Sequence, residues 1–249
     1  MFAASVDLGL TLINCDGRRI TGSQVSMPNS EVAGVVVAAG LGQRLGSSRP
    51  KAFVEIDGLA LYQWAARALR DGGCERIVIV APPGQWQAQV ADAEPTAIVV
   101  PGGDSRQQSV RLGLQALSVI PPEFVLIHDA ARALTPVSVI ERVIEALREG
   151  HELVAPAVPI ADTVRQVDAE GVPQLLERET LRAVQTPQGC NYQTLVRAHA
   201  EAAASGAHAT DDVTLCERHD RPVWLVEGDA AGFKITTTFD LAVALTVAR

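Results

Sequence analysis

The sequence predicts an α/β fold built on a mostly parallel, twisted sheet with helices on both faces. Three observations predict it. Short apolar runs such as Val35, Val36, Val37 do not alternate, which is how strands covered on both faces read. Each run is followed by a segment of helical periodicity, so the connections are crossovers between parallel strands. One stretch, 152–190, breaks this rhythm with short β-like pieces, two polar turns and no long helix. It predicts a strand plus a protruding β-hairpin.

After the first strand and its loop, residues 59–73 ("LALYQWAARALRDGG") place Leu61, Trp64, Ala65, Ala68 and Leu69 at helical spacing. That helix stops at Gly72 and Gly73. "RIVIVAPP" (76–83) is a strand closed by prolines, "GQWQAQVADA" a short helix, and "AIVV" (97–100) a strand. "DSRQQSVRLGLQALSVI" (104–120) is a helix that Asp104 or Ser105 can cap. "EFVLIHDAA" (123–131) is a strand, and "PVSVIERVIEALREG" (136–150) a helix with Pro136 in its first turn. Beyond the irregular stretch come a helix over 191–206, a second near "DDVTLCERHD", a strand "VWLVEGD" and a last helix from about Thr238.

The loop "AAGLGQRLGSSRPKAF" (38–53) opens at the carboxyl end of the first core strand, where open α/β sheets bind ligands. Its glycines let backbone N–H groups approach an anion. It is neither a dinucleotide fingerprint, because Leu45 stands where the third glycine belongs, nor a P-loop, because Lys51 follows Pro50 and precedes Ala52. What remains is a glycine loop carrying a guanidinium fork, Arg44, and a point charge, Lys51, both suited to phosphate oxygens. An ordinary strand-to-helix connection is the other reading. "VPGGDSRQQSV" repeats the pattern with Gly102 and Gly103, and two such turns at neighbouring strand ends face one crevice. "LIHDAARA" adds Asp129 where another strand emerges, a position from which one carboxylate can hold Mg²⁺ while water and substrate phosphates fill the remaining places. Capping of the following loop is the alternative role for Asp129. Arg132 is a second cation at that edge, and His128 reads as a core histidine.

A chain of 249 residues fits one catalytic unit rather than two fused enzymes. A formal net charge of −8 argues against nucleic acid or a membrane surface as partner. The cysteines Cys15, Cys74, Cys190 and Cys216 form no C-x-x-C pair, so neither a zinc cluster nor a disulfide framework is expected, and the expected location is the cytoplasm. No run reaches the length of a membrane span and residues 1–13 lack the marks of a signal peptide. Residues 1–30 carry turn formers without periodicity and read as a disordered N-terminal extension. Met27 is there a candidate alternative start. Residues 31–249 form the single domain.

The ordered motifs "AAGLGQRLGSSRPKAF", "GGDSRQQSV", "HDAARA", "ADTVRQV", "TPQG", "ATDD" and "EGDAAGFKIT" resemble the 2-C-methyl-D-erythritol 4-phosphate cytidylyltransferases of isoprenoid biosynthesis, from about residue 33 onward. The resemblance implies a Rossmann-like nucleotidyltransferase fold. It also implies transfer of CMP from CTP to methylerythritol phosphate by attack of the acceptor phosphate on the α-phosphorus, with pyrophosphate released. On this resemblance Arg44, Lys51 and Lys234 are catalytic. Ala38, Ala39, Gly40, Gly42, Gly103, Asp104 and Ser109 bind the nucleotide; Arg132, Thr163, Arg178, Thr186 and Thr210 meet the acceptor, with Arg182 the other arginine near Arg178; and Asp129 holds magnesium. The segment from about 157 to 185 corresponds to the dimer arm of the family, so a homodimer is expected. Ala52, Ala133, Ala231 and Gly232 depart from the common motifs, the last two where some relatives carry Asp and Asn. A cytidylyltransferase for another polyol phosphate, such as ribitol 5-phosphate, and a non-catalytic nucleotide-binding module are the rival readings.

Overall fold

A computed structural model describes residues 12–13, 19–20, 31–40, 49–217 and 221–248. Within the expected N-terminal extension, β1 (Leu12–Ile13) and β2 (Arg19–Ile20) pair antiparallel; the rest of that extension lies outside the described residues. The central strands follow the predicted rhythm. β3 is Val32–Val37, and β4 (Glu55–Ile56) with β5 (Leu59–Ala60) leads into α1 (Leu61–Asp71). Then come β6 (Arg76–Ala81), α2 (Gln85–Ala93), β7 (Ile98–Pro101), α3 (Arg106–Ala116), β8 (Phe124–Asp129) and α4 (Val137–Arg148). The irregular stretch resolves into β9 (Leu153–Pro159), β10 (Arg165–Val167), β11 (Pro173–Leu175), β12 (Arg182–Val184) and β13 (Gln188–Asn191). α5 (Tyr192–Ser205), α6 (Asp212–Glu217), β14 (Trp224–Glu227) and α7 (Thr238–Val247) complete the chain.

Among the described residues the main sheet has eight strands. β7, β6, β3 and β8 are parallel neighbours in that order. The chain therefore builds outward from β3 in one direction through β6 and β7, then returns to the other side of β3 for β8. That reversal creates a switch point between β3 and β8, where the following loops diverge and leave a crevice. Beyond β8 the sheet becomes mixed: β13 runs antiparallel to both β8 and β9, β12 runs antiparallel to β9, and β14 is parallel to β9. The antiparallel pairing arises where no helix intervenes, since only a crossover can return the chain in the parallel sense.

Alternation along the strands fills the two faces. Val32, Val36, Ile77, Ile79, Leu126 and Val154 pack with α1 and α4 residues such as Leu69, Ile140, Val143 and Leu147 on one side. Ala33, Val35, Val78, Val80, Val125, Ile127 and Leu153 pack with Val110, Leu114, Leu195 and Leu215 on the other. A smaller cluster of Ile56, Leu61, Ala133, Ile235 and Ala244 ties α7 to the turn before α1. The predicted hairpin is present as β10 and β11, paired antiparallel, with Val167 and Val172 exposed beside its turn and Leu175 exposed at its open end.

One local element was within reach of the sequence. In "EIDGLA" the turn residues Asp57 (φ 49°) and Gly58 (φ 76°) both adopt positive φ between β4 and β5. Asp-Gly is the residue pair that a two-residue hairpin of this kind favours. No helix of the described residues is long and apolar enough to cross a membrane.

Close approach of α3 to the sheet rests on Gly113, where a Cβ would fall 2.6 Å from Val35 Cγ1 and 3.0 Å from Val80 Cγ2. In a free helix Gly→Ala gains about 1 kcal/mol, whereas overpacking a core costs about 1–3 kcal/mol. Packing wins here because both neighbours are wholly buried β-branched side chains with little room to turn. Gly113→Ala is therefore expected to lower the thermal midpoint by a few degrees, roughly 2–4 °C per kcal/mol for a domain of this size. Thermal unfolding followed by circular dichroism checks it; a raised midpoint would show that Val35 and Val80 give way at no cost.

Candidate active site

The crevice at the β3/β8 switch point is a cleft of about 1060 Å³. Its rim is built from strand ends. β3 delivers Ala38, Ala39 and Gly40, and β8, whose Asp129 pairs in register with Val37, delivers the carboxylate beside them. β7 delivers Gly102 and Gly103, which run into the amino end of α3. The two glycine turns do share one crevice: a Cβ at Gly102 would lie 2.2 Å from Ala39 Cβ, so the turns can meet only if residue 102 has no side chain. Ser105 caps α3 by accepting from the Gln108 N–H at 3.1 Å, and the Ser109 hydroxyl accepts from the Gly103 N–H at 3.1 Å while donating to the Ser105 carbonyl at 2.9 Å. These bonds fix the second glycine turn. They also leave the positive end of an 11-residue helix at the cleft, an arrangement that favours an anion.

Charged groups meet on the floor. Asp129 Oδ2 accepts from Lys234 Nζ at 2.6 Å and Oδ1 accepts from Arg106 Nε at 3.0 Å. Arg106 reaches on through Nη1 to Asp212 Oδ2 at 2.8 Å, and His199 Nε2 donates to Asp212 Oδ1 at 3.2 Å. Burial alone would push the Asp129 carboxyl up, but Arg106 and Lys234 outweigh it and hold the group well below the usual carboxylate range. Asp212 is likewise held low against its burial by Arg106 and His199. For Arg106, the two carboxylates overcome burial and raise its pKa further. His128 is the opposite case: burial pushes it down to about 4, with Nδ1 2.8 Å from the Thr186 hydroxyl oxygen. It is the core histidine that the sequence suggests, wholly buried and not part of the cleft lining.

Ala38, Ala39, Gly40, Lys51, Gly103, Asp104, Ser109, Asp129 and Lys234 all line the cleft. Lys51 begins a short 3₁₀ turn, Lys51–Phe53, held in place by the buried Ala52 and Phe53. Arg44 and Gly42 lie outside the described residues. The acceptor set is more dispersed. Arg132 donates to the Gly232 carbonyl (2.7 Å) and the Val184 carbonyl (3.2 Å), bracing the rim, and burial lowers its pKa. The Thr186 hydroxyl accepts from the Asp129 N–H at 3.1 Å and so sits behind the carboxylate. Arg178, at the base of the hairpin, donates to the Ala161 carbonyl at 2.6 Å. Thr163 and Thr210 are exposed, and neither they nor Arg178 line this cleft among the described residues. Arg106, Asp212 and His199 escaped the reading of the sequence, although "GGDSRQQSV" and "ATDD" contain the first two. Their signal is contact across the fold, which spacing along the chain does not carry.

A sequence profile of the 2-C-methyl-D-erythritol 4-phosphate cytidylyltransferases matches residues 32–249. The enzyme of that name from Saccharopolyspora erythraea is 45% identical over 220 residues, covering 86% of this chain and 97% of the relative. The one from Streptomyces avermitilis is 42% identical over 239 residues, covering 89% and 93%. Among solved structures, the cytidylyltransferase of that name from Thermus thermophilus superposes with a TM-score of 0.72 at 35% identity, covering 87% of this chain and 98% of that one. A 4-diphosphocytidyl-2C-methyl-D-erythritol synthase from Anaerococcus prevotii gives 0.78 at 25% identity, covering 88% and 96%. With a profile match across nearly all of the described domain, the chain belongs to the 2-C-methyl-D-erythritol 4-phosphate cytidylyltransferase family.

Proposed function

We propose that this protein transfers CMP from CTP to 2-C-methyl-D-erythritol 4-phosphate, giving 4-diphosphocytidyl-2-C-methyl-D-erythritol and pyrophosphate. The observation that carries this reading is the cleft floor, where Asp129 is bracketed by Lys234 and Arg106 with Lys51 on the same lining, in a member of this family. A phosphate monoester has a second pKa near 6, so the acceptor is already anionic at neutral pH and needs no side-chain base. The protein's task is to bring two polyanions together and to neutralise charge in the transition state. Lys51 and Lys234 supply that charge, joined in this proposal by Arg44. The glycine turns with Ala38, Ala39, Gly40, Gly42, Gly103, Asp104 and Ser109 hold the nucleotide.

The residues present fit Mg²⁺ in the manner that ion prefers, one carboxylate with water and substrate phosphates in the other places. Asp129 would hold it. Among the described residues there is no group of three metal-ligating side chains that could form an all-protein cage. When bound, the ion neutralises negative charge on the triphosphate. Lys234 now occupies Oδ2, but its side chain is 43% exposed and is free to turn toward a phosphate.

The acceptor site is proposed to include Arg132, Thr163, Arg178, Thr186 and Thr210, with Thr163 and Arg178 supplied across a homodimer by the hairpin arm. The exposed Val167, Val172 and Leu175 support this, because a lone two-stranded hairpin gains little stability in water and keeps apolar groups where something covers them. Cytoplasmic residence fits the buried free thiols of Cys74, Cys190 and Cys216.

Lys51→Ala and Lys234→Ala are each expected to lower kcat by about 10²- to 10³-fold while CTP affinity changes much less, since their charge is needed where negative charge accumulates. Steady-state pyrophosphate release measures both quantities, and undiminished turnover in both variants would remove the assignment.

UTP in place of CTP is expected to lose on the order of 10⁴ in kcat/KM, because buried groups that pair with the cytosine edge would be left without partners. The same assay, run against a panel including ribitol 5-phosphate, identifies the acceptor; equal use of the two nucleotides would show the base pocket to be misplaced.

Mixing Thr163→Val protein with Asp129→Asn protein should restore activity if the two residues serve one site from opposite chains, because a heterodimer regains one intact site. Lack of recovery in mixtures shown to exchange subunits, or a fully active monomer in sedimentation, would rule out the shared site.

A further inference from the structure

Asp212 lies behind Arg106, its side chain 4% exposed against 10% for Asp129, and it lines no part of the cleft. Its surroundings are built to hold it still. The backbone N–H groups of Asp212 and Val213 both donate to Gln188 Oε1, at 3.0 and 3.2 Å, and Gln188 Nε2 donates to Asp211 Oδ2 at 3.0 Å. The amino end of α6 is thus pinned to β13, two residues past the Thr186–Pro187 bond. From that anchored position Asp212 takes Arg106 on one oxygen and His199 on the other. Asp212 is 106 residues from the arginine it fixes.

We propose that Asp212, backed by His199, is a positioning residue for the transfer reaction: it holds the Arg106 guanidinium so that Nε alone meets Asp129, which sets the direction in which the Asp129 carboxylate faces the cleft. This rests on the cytidylyltransferase reading above. The row Asp212, Arg106, Asp129, Lys234 alternates in sign and is electrically balanced, with two carboxylates and two cations. Arg106 presents five donors in a rigid fork that matches a carboxylate in two-pronged fashion. Oriented by Asp212 through Nη1, it meets Asp129 through Nε alone and leaves Oδ2 to Lys234. Without the Asp212 charge the fork is released. It then turns onto Asp129 with both prongs, covers the oxygen that Lys234 uses, and displaces the lysine from its place beside the reacting phosphates. The effect falls on the chemical step because the nucleotide pocket of Gly103 and Ser109 is held by its own hydrogen bonds.

The test compares the full-length parent with Asp212→Asn, Asp212→Glu and His199→Gln by two readouts. In steady-state kinetics Asp212→Asn should lose about 10² in kcat, the scale of a misplaced reacting group, with KM for CTP within about threefold of the parent. Asp212→Glu should recover most of the loss. In NMR of protein with ¹⁵N-labelled arginine, the Arg106 Nε–H signal, assigned through Arg106→Lys, should be sharp and slowly exchanging in the parent and in Asp212→Glu. It should shift and broaden in Asp212→Asn. If Asp212→Asn does not fold, His199→Gln provides the milder perturbation and should move both readouts in the same direction. Parental kcat in a folded Asp212→Asn, or lost kcat with an unmoved Arg106 signal, would overturn the proposal. A parent that turns over neither CTP nor methylerythritol phosphate would overturn the functional reading instead, and the Arg106 signal would still decide whether Asp212 holds the arginine.

Discussion

The charge on Asp129 is the constraint around which the rest is arranged. A carboxylate at the mouth of a buried parallel strand faces a desolvation penalty of several kcal/mol, and leaving such a charge with a missing partner costs about 3–5 kcal/mol. Two cations reach it from distant parts of the chain, Arg106 from the start of α3 and Lys234 from the segment after β14. Each requires its own support. Arg106 is tethered by Asp212, and the backbone beside Lys234 is docked by the Ile235 N–H donating to the Ala131 carbonyl at 2.8 Å. Helix α6, through Asp212, and the 3₁₀ turn at Ala130–Arg132, through the Ala131 carbonyl, thus support the two cations that satisfy one carboxylate.

The sheet supplies the geometry that side chains alone could not. Because β8 returns to the far side of β3, the Val37 and Asp129 ends lie in register next to each other, and the loops after them must part. The second glycine turn completes the wall from β7 and leaves its helix end pointing inward. Strand ends then position the polar groups, and Lys51 and Lys234 complete the lining.

Much of this could be read along the chain because it depends on local rules. Apolar runs without alternation gave β3, β6 and β8, and glycines after strands marked both turns of the cleft. Ala38, Ala39, Gly40, Lys51, Gly103, Asp104, Ser109 and Asp129 line one cleft together with Lys234, which only the family resemblance singles out, whereas Thr163, Arg178 and Thr210 lie away from it. The rest is nonlocal. That Arg106 would join Asp129 and Asp212 follows from how α3 and α6 pack on one face of the sheet, which no spacing in the sequence encodes. The family resemblance puts Arg132 and Thr186 at the acceptor, and their polar atoms also engage the backbone of Gly232, Val184 and Asp129, because strand ends leave carbonyls and N–H groups that need partners. The antiparallel passage of β13 between β8 and β9 was hidden for a related reason, since it depends on the absence of a helix rather than on any residue type.

The small apolar cluster joining Ile56 and Leu61 to Ile235 and Ala244 has a consequence for biosynthesis. Lys234 is 105 residues downstream of Asp129, and the same late segment closes over the turn that carries Lys51 into α1. A nascent chain can form its parallel core as β3, β6, β7 and β8 emerge, but the carboxylate then waits with an incomplete set of countercharges. The second countercharge arrives with the segment just ahead of the final helix. Translation that stops short of Lys234 therefore leaves Asp129 with only one of its two countercharges and the Ile56–Leu61 seam uncovered, the kind of exposed apolar surface that makes a partly folded chain prone to aggregate.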